Sequence, residues 1–344
     1  PALPRRRRRR RFCLLPSPSP HAPFPIHIFT LISQGDKGTC SRTMHMQNLS
    51  LFTAPLALLW LVLLGAERGE AVMLNEYPMI MTHDAATGYL RNGPINAWAK
   101  TQDVDFKGQL DCGARAFDLR PLLKDETLYM HHGGIEVKVK LIDAVNEVVE
   151  WTATNPDELV LLYISHCKGP SNCMEEAIGQ VESMNITVFS DPAQMRNLTY
   201  SEALLKSKLP GGGHVLGVTD GLVAGEYDPS ITCYEKGKCC YKSGGEFLVE
   251  RFWKYVNETI AKEPDQQGIL RMVQAHWQED AETITSGILH LSSLIKDEER
   301  SQLIAKFTEA VSSGYMQHLN LVEVNNVCDG GLELLDALRK RQSV

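Results

Sequence analysis

The 344-residue chain has no Walker-type phosphate loop, no heptad pattern and no internal repeat. P-loop nucleotide hydrolases, coiled coils and repeat arrays therefore find no support in it. No CxxC pair stands opposite a second one, so the cysteines do not read as a zinc site. The most apolar run, 49–65, is shorter than the ~20 residues that a membrane-spanning helix needs. Positive charge is scarce beyond residue 72, where 25 Lys and Arg face 39 Asp and Glu, a net of −14. Such a domain is expected to be soluble, to bind no nucleic acid, and to be repelled at long range by an anionic membrane surface.

Basic residues crowd the start instead. Residues 1–43 begin with Pro1 and hold an unbroken arginine run, Arg5–Arg11, then Pro/Ser/His-rich sequence. No periodic element follows the run, so a disordered or non-native leader is expected rather than a nucleic-acid or targeting patch. Residues 44–72 start at Met44 or Met46, carry the apolar run and continue into Gly65-Ala-Glu-Arg-Gly-Glu-Ala71. This pattern is that of a secretory signal peptide cleaved near Ala71, with an uncleaved signal anchor as the alternative. The expected location is extracellular, or the endomembrane lumen. Residues 73–344 then form one domain of the size of a single α/β barrel.

Seven cysteines fall in that domain: Cys112, Cys167, Cys173, Cys233, Cys239, Cys240 and Cys328. Cys167–Cys173 closes a short Gly/Pro/Ser loop and is expected to be oxidised; Cys233 with Cys239 or Cys240 is a second candidate pair. The odd count leaves at least one thiol free or intermolecular. Three sequons, at Asn185, Asn197 and Asn257, are candidate glycosylation sites.

The chemistry concentrates between Pro78 and Gly134. Three short apolar runs, Met79–Thr82, Ala114–Leu119 and Thr127–Met130, read as strands. Each ends in polar groups: His83 and Asp84, then Asp118 and Arg120, then His131 and His132. At the C-terminal ends of α/β-barrel strands such side chains converge on one pocket. Two imidazoles titrating near neutral pH serve as general base and general acid, and a guanidinium fork matches a phosphate. Phosphodiester cleavage is the chemistry this set suggests.

Strand and helix patterns alternate through the rest of the domain, as in a mostly parallel sheet. Helices are expected over 96–112, 139–151, 172–183, 246–261 and 283–313, and at the end from Leu332. Strands are expected at Leu159–Ile164, Ile186–Phe189, Val215–Val218, Ile269–Trp277 and Leu319–Val324, with a long loop over 220–245 at the barrel mouth.

At Thr82-His-Asp84, Ala114-Arg-Ala-Phe-Asp-Leu-Arg120, His131-His-Gly133 and Asn155-Pro-Asp-Glu-Leu-Val160 the sequence resembles the phosphatidylinositol-specific phospholipase C X-domain family, within the PLC-like phosphodiesterases. The motif similarity covers about 80 residues; its order and spacing match the bacterial, metal-independent type. The resemblance implies a distorted TIM-type (β/α) barrel. It puts His83 in the place of the base, His132 in that of the acid and Arg120 on the phosphate, with Asp84 beside it and Asp118 orienting the site. Calcium-dependent members carry metal-binding acids where Arg120 stands, so no cofactor or metal is expected.

The chain departs from the family at three positions. The Asp that usually pairs with the base histidine is Asn325 here, so Asn325→Asp is expected to raise activity or shift its pH optimum. Thr219-Asp220 stands where the bacterial inositol-gripping arginine belongs, and Ser165 or His166 where a lysine ends the fourth strand. His166, Asp220 and His276 are the candidate substrate contacts, while His131, His214, His290 and His318 read as structural or surface residues. The expected partner is a phospholipid or glycerophosphodiester met in transient contact with a membrane surface, by a monomer. The alternatives are a metal-dependent glycerophosphodiester phosphodiesterase and a catalytically weak phospho-headgroup or glycan binder.

Overall fold

The structure is a computed structural model that describes residues 72–342, apart from residue 95, residue 317 and the segments 225–233, 236–237, 240–245, 263–267 and 279–280. The expected leader 1–43, nearly all of the expected signal segment 44–72, and the Cys233 pairing lie outside the described residues.

Strand β1 (Met79–Thr82) is buried at every position and runs between two parallel neighbours, β13 (Leu321–Val324) and β2 (Ala116–Leu119). Outward from β2 follow β6 (Leu159–Ile164), β8 (His214–Val218) and β7 (Thr187–Phe189); outward from β13 follow β12 (Leu270–Gln274) and β9 (Leu222–Ala224). All these pairings are parallel. The eight strands form a curled α/β barrel sheet whose end strands, β7 and β9, do not pair with each other among the described residues. A parallel sheet covered on both faces needs apolar residues at successive positions, which is why β1, β2 and β6 read as short continuous apolar runs.

Alternation along the strands decides what faces where. Ile80, Phe117, Val160, Leu162, Val273 and Val322 join one apolar cluster with the surrounding helices. Met79, Met81, Ala116, Leu161, Met272 and Leu321 belong to a second cluster on the other face. Counting on by twos from that second set reaches His83, Asp118, Arg120, Ser165, His276, Glu323 and Asn325. Because the strands are parallel, these polar residues all arrive at the same end of the sheet.

Three expectations are corrected. Thr127–Met130 is not a barrel strand: β4 (Thr127–His132) is the middle of a separate antiparallel sheet with β3 (Pro121–Lys124) and β5 (Ile135–Lys140). Its connections are two residues long, with Asp125, Glu126 and Gly133 at positive φ, and such tight turns join only antiparallel neighbours. The helix expected over 96–112 shrinks to a 3-10 turn at Asn96–Trp98 and α1 (Phe106–Asp111), capped by Asp105, which accepts from Gly108 N–H at 2.8 Å. The helical stretch 283–313 breaks into α6 (Ala281–Leu289), α7 (Leu294–Ser301) and α8 (Leu303–Ser312), at left-handed Leu291 and Gln302.

The other helices are α2 (Leu141–Thr154), α3 (Cys173–Glu182), α4 (Tyr200–Lys206), α5 (Glu246–Ile260) and α9 (Gly331–Gln342), and a small hairpin pairs β10 (Tyr234–Glu235) with β11 (Lys238–Cys239). None of the described helices is long and apolar enough to cross a membrane. Among the described residues two disulfides are formed, the expected Cys167–Cys173 and also Cys112–Cys328, which ties the end of α1 to the turn after β13. Arg115, the first arginine of the Ala114–Arg120 motif, is buried away from the site. Its Nε donates to Glu158 at 2.8 Å and its guanidinium lies over the Trp151 ring, so this part of the motif holds β2 and α2 together.

Candidate active site

His83, Asp84, Asp118, Arg120, His132 and Asn325 meet at the C-terminal ends of β1, β2 and β13. His132 reaches the group from the separate sheet through the end of β4. Asp84, two residues past the end of β1, has a left-handed conformation (φ 43°) that aspartate tolerates, and its N–H donates to Asp118 Oδ2 at 3.1 Å. Arg120 bridges the two carboxylates, with one terminal nitrogen 2.9 Å from Asp84 Oδ1 and the other 2.7 Å from Asp118 Oδ2. Asp84 Oδ2 lies between the two histidines, 3.1 Å from His83 Nε2 and 3.2 Å from His132 Nε2. These Asp84 contacts are short, yet none is aligned as a hydrogen bond.

Partners on the far side of each ring assign the protons. Asn325 Nδ2 faces two acceptors, Glu298 Oε1 at 2.9 Å and Trp277 O at 3.4 Å, which orients the amide so that its Oδ1 points at His83 Nδ1, 2.9 Å away. Oδ1 can only accept, so His83 Nδ1 carries the proton and Nε2 is left as a basic lone pair facing Asp84. His132 Nδ1 likewise donates to Ala99 O at 2.8 Å, which turns its Nε2 toward Asp84.

His276 is a candidate substrate contact by sequence, and its burial corrects this. It has no exposed surface and its ring stacks on His83, centroids 4.2 Å apart and 9° from parallel. Its Nε2 lies 3.0 Å from Glu323 Oε2 and its Nδ1 3.2 Å from Trp277 O. Both partners are acceptors, so the ring is held as the imidazolium. Burial works against that charge, but Glu323 and Glu298 outweigh it and raise the His276 pKa. His83 feels the consequence: burial first, then the His276 cation, push it down to about 3.

The two carboxylates split in opposite directions. Burial and the neighbouring Asp118 raise Asp84 to about 6. Asp118 is buried as well, but Arg120 and His83 overcome that penalty and hold it below the usual carboxylate range. Burial likewise opposes the charge on Arg120, and the two aspartates more than compensate, raising its pKa. His83, Asp84 and Asp118 offer ligand atoms near enough together to hold a metal ion, but Arg120 already sits as the cation between the two carboxylates.

Ser165 and His166 divide the lysine position between them. Ser165 is buried and its Oγ donates to Asp118 Oδ1 at 3.2 Å, while His166 is exposed with its Nδ1 2.8 Å from Ser165 Oγ. Asp220 is exposed, and its Oδ1 accepts from the next N–H, that of Gly221. His131 is buried and bonds the carbonyls of Gly133 and His166. Of the sequons, Asn185 and Asn197 stand exposed in turns, whereas Asn257 lies half-buried in α5 with its Oδ1 covered.

Sequence reasoning missed four supports of the site. Thr101 Oγ1 donates to His83 O at 2.7 Å, and Gln102 joins the ends of β13 and β1 by donating to Val324 O at 2.8 Å and to His83 O at 3.3 Å, while accepting from Val327 N–H at 3.1 Å. Glu298 and Glu323 are the others. The only signal for Glu323 was a charged residue inside an apolar strand; Glu298 sat in a run of charges that reads as a solvated helix face.

No family model matches the chain. Over 101 residues it is 34% identical to "PI-PLC X domain-containing protein 3" of Danio rerio, a match of 28% of this chain and 30% of that protein. Over 90 residues it is 28% identical to "1-phosphatidylinositol phosphodiesterase" of Staphylococcus aureus (strain Newman), 26% of this chain and 29% of the other. The matched stretch is under a third of the length of these curated relatives. A solved structure of the F249X mutant of phosphatidylinositol-specific phospholipase C from Staphylococcus aureus superposes with a TM-score of 0.53 at 14% identity, over 78% of this chain and 94% of that one. Over the matched stretch the chain is thus similar in sequence to PI-PLC X domain-containing proteins, and its barrel is similar in fold to the phosphatidylinositol-specific phospholipase C of Staphylococcus aureus.

Proposed function

We propose that the chain is a secreted phosphoric diester hydrolase or lyase of the phospholipase C type, acting on a phospholipid or glycerophosphodiester headgroup. One observation carries this reading: the Nε2 atoms of His83 and His132 approach the same oxygen of Asp84 from two sides, while Arg120 holds the other oxygen of that carboxyl group. A phosphoryl group entering there meets a base, an acid and a fixed cation.

In this mechanism His83 Nε2 takes the proton of the attacking hydroxyl. Where a headgroup hydroxyl neighbours the phosphate, that attack yields a cyclic phosphate. Arg120 stabilises the equatorial oxygens as charge builds on them, and His132 protonates the leaving oxygen from its Nε2. Asp84, raised toward neutrality and 3.2 Å from His132 Nε2, shares the proton that the acid delivers. Asp118 stays ionised and keeps Arg120 aimed. The metal-dependent reading is less favoured because Arg120 occupies the cationic position between Asp84 and Asp118.

The test uses the purified secreted protein and a diester with an activated leaving group, so that the headgroup does not matter, with and without EDTA. Turnover that survives EDTA and is lost in His83→Ala supports the reading; loss with EDTA favours the metal-dependent enzyme. If wild type and His83→Ala hydrolyse the diester equally, or neither does, the enzyme reading fails and phospho-headgroup binding leads.

A further inference from the structure

Behind Asn325 lies a buried carboxylate that the mechanism above does not use. Glu298 sits in α7 with 3% of its surface exposed. Its Oε1 accepts from Trp277 N–H at 2.8 Å and from Asn325 Nδ2 at 2.9 Å. Its Oε2 is also buried, with no hydrogen-bond partner among the described residues. Two bonds of 2.9 Å therefore connect His83 Nδ1, through the Asn325 amide, to a carboxylate. We propose that Glu298 is the positioning residue of the base: through Asn325 it supplies, at one remove, the negative charge that a carboxylate at position 325 would supply directly. The proposal rests on the phosphodiesterase reading.

When His83 takes the nucleophile's proton, the ring becomes a cation and Nδ1–H a stronger donor. Asn325 Oδ1 must then carry more negative charge, and an ionised Glu298 at the other end of the amide favours that polarisation. His83 needs such help, because it is buried against the His276 cation. The other charged groups around His83 are Glu323, Arg120, Asp118, Asp84 and His132. None of these bonds to its Nδ1.

Glu298 can change its charge without disturbing the network. Both donors meet Oε1, so a proton on Oε2 leaves both hydrogen bonds in place. Burial raises Glu298 to about 7; Trp277 N–H, His276 and Asn325 oppose that shift and Asp297 adds to it. Above that pH the carboxylate is charged and the base is strengthened, and below it the support fades. The geometry also withdraws the gain expected of Asn325→Asp. A carboxylate oxygen in place of Nδ2 would stand 2.9 Å from Glu298 Oε1, and two carboxyls at that distance share one proton.

The experiment compares wild type, Glu298→Gln, Asn325→Asp and the double variant on the activated diester, measuring kcat and KM from pH 5 to 9. Glutamine keeps an oxygen for the Trp277 and Asn325 donors and removes only the charge. Glu298→Gln should lower kcat about 10-fold at unchanged KM and erase the step near neutral pH. Asn325→Asp alone should gain nothing. The double variant should recover to within a few-fold of wild type, because the amide introduced at position 298 can donate to the carboxylate introduced at position 325. In parallel, the 15N shift of His83 Nδ1 should move with pH near neutrality in wild type and lose that step in Glu298→Gln. A kcat profile unchanged by Glu298→Gln, a double variant no better than Glu298→Gln, or a wild-type Nδ1 shift flat through neutrality overturns the proposal. With wild-type turnover present, those results leave the phosphodiesterase reading standing. Absent wild-type turnover sinks that reading instead, and the Nδ1 shift still decides whether Glu298 reaches His83.

Discussion

The imidazole of His276 lies face to face with that of His83, 4.2 Å between centroids, and is held as a cation by Glu323. A proton arriving on His83 in the free protein therefore meets a neighbouring positive charge in a buried site. Burial first, and that cation second, keep His83 neutral, and so available as a base, through the whole neutral range.

Replacing His83, His132 or Arg120 singly by Ala is expected to cost about 10²–10⁴ in turnover on an activated phosphodiester. The circular dichroism spectrum should stay near that of wild type, since none of the three belongs to the two apolar clusters. Unfolding of all three variants would show that these side chains are structural instead.

Acid should destabilise the fold partly through His83. Its folded pKa is lowered to about 3 from an ordinary 6.5, so the unfolded chain binds the proton first. The stability linked to this group is complete above pH 6.5 and is lost progressively as the pH falls toward 3. His83→Gln should accordingly lose less of its urea midpoint than wild type on going from about pH 7 to about pH 5. An equal loss in both would mean that the burial of His83 does not govern acid sensitivity.

Opening Cys112–Cys328 should cost more than opening Cys167–Cys173. The first closes a sequence separation of 216 residues and the second one of 6. Chain-entropy reasoning gives about 5 kcal/mol for the long loop, as an upper figure for the Cys112→Ser, Cys328→Ser variant. Denaturation in urea under non-reducing conditions reads the difference, and equal midpoints for the two disulfide-free variants would contradict it.

Expressed through a secretory pathway, the protein should appear outside the cell without its first ~72 residues and with sugar on Asn185 and Asn197, the two exposed sequons. Asn257, half-buried in α5, should carry little. Peptide mapping after glycosidase treatment decides each site separately; mature protein that keeps the arginine run and shows no mass shift would remove the secretory reading.

Seven of the eight sheet strands, and the polar groups at their ends, were legible in the sequence, whereas β9 (Leu222–Ala224) lies within the stretch 220–245 expected to be a loop. Met79–Thr82 and Leu159–Ile164 are continuous apolar runs because both faces of a parallel strand are covered, and such a run needs no partner to be recognised. His83, Asp118, Arg120 and His132 could be read for the same reason, as polar groups closing short apolar runs. What the sequence could not determine is anything set by residues far apart meeting in space. His276 is 193 positions from His83, and only the neighbouring registers of β12, β13 and β1 put one ring on the other. Glu298 looked like part of a solvated helix because its helical neighbours are charged; the break at Leu291 and the docking of α7 turn it inward onto Asn325. Pairwise tertiary contact of this kind decides which histidine is neutral, which is charged and where the base finds its support. Local sequence specifies the chemistry available, and burial together with distance assigns each group its protonation state.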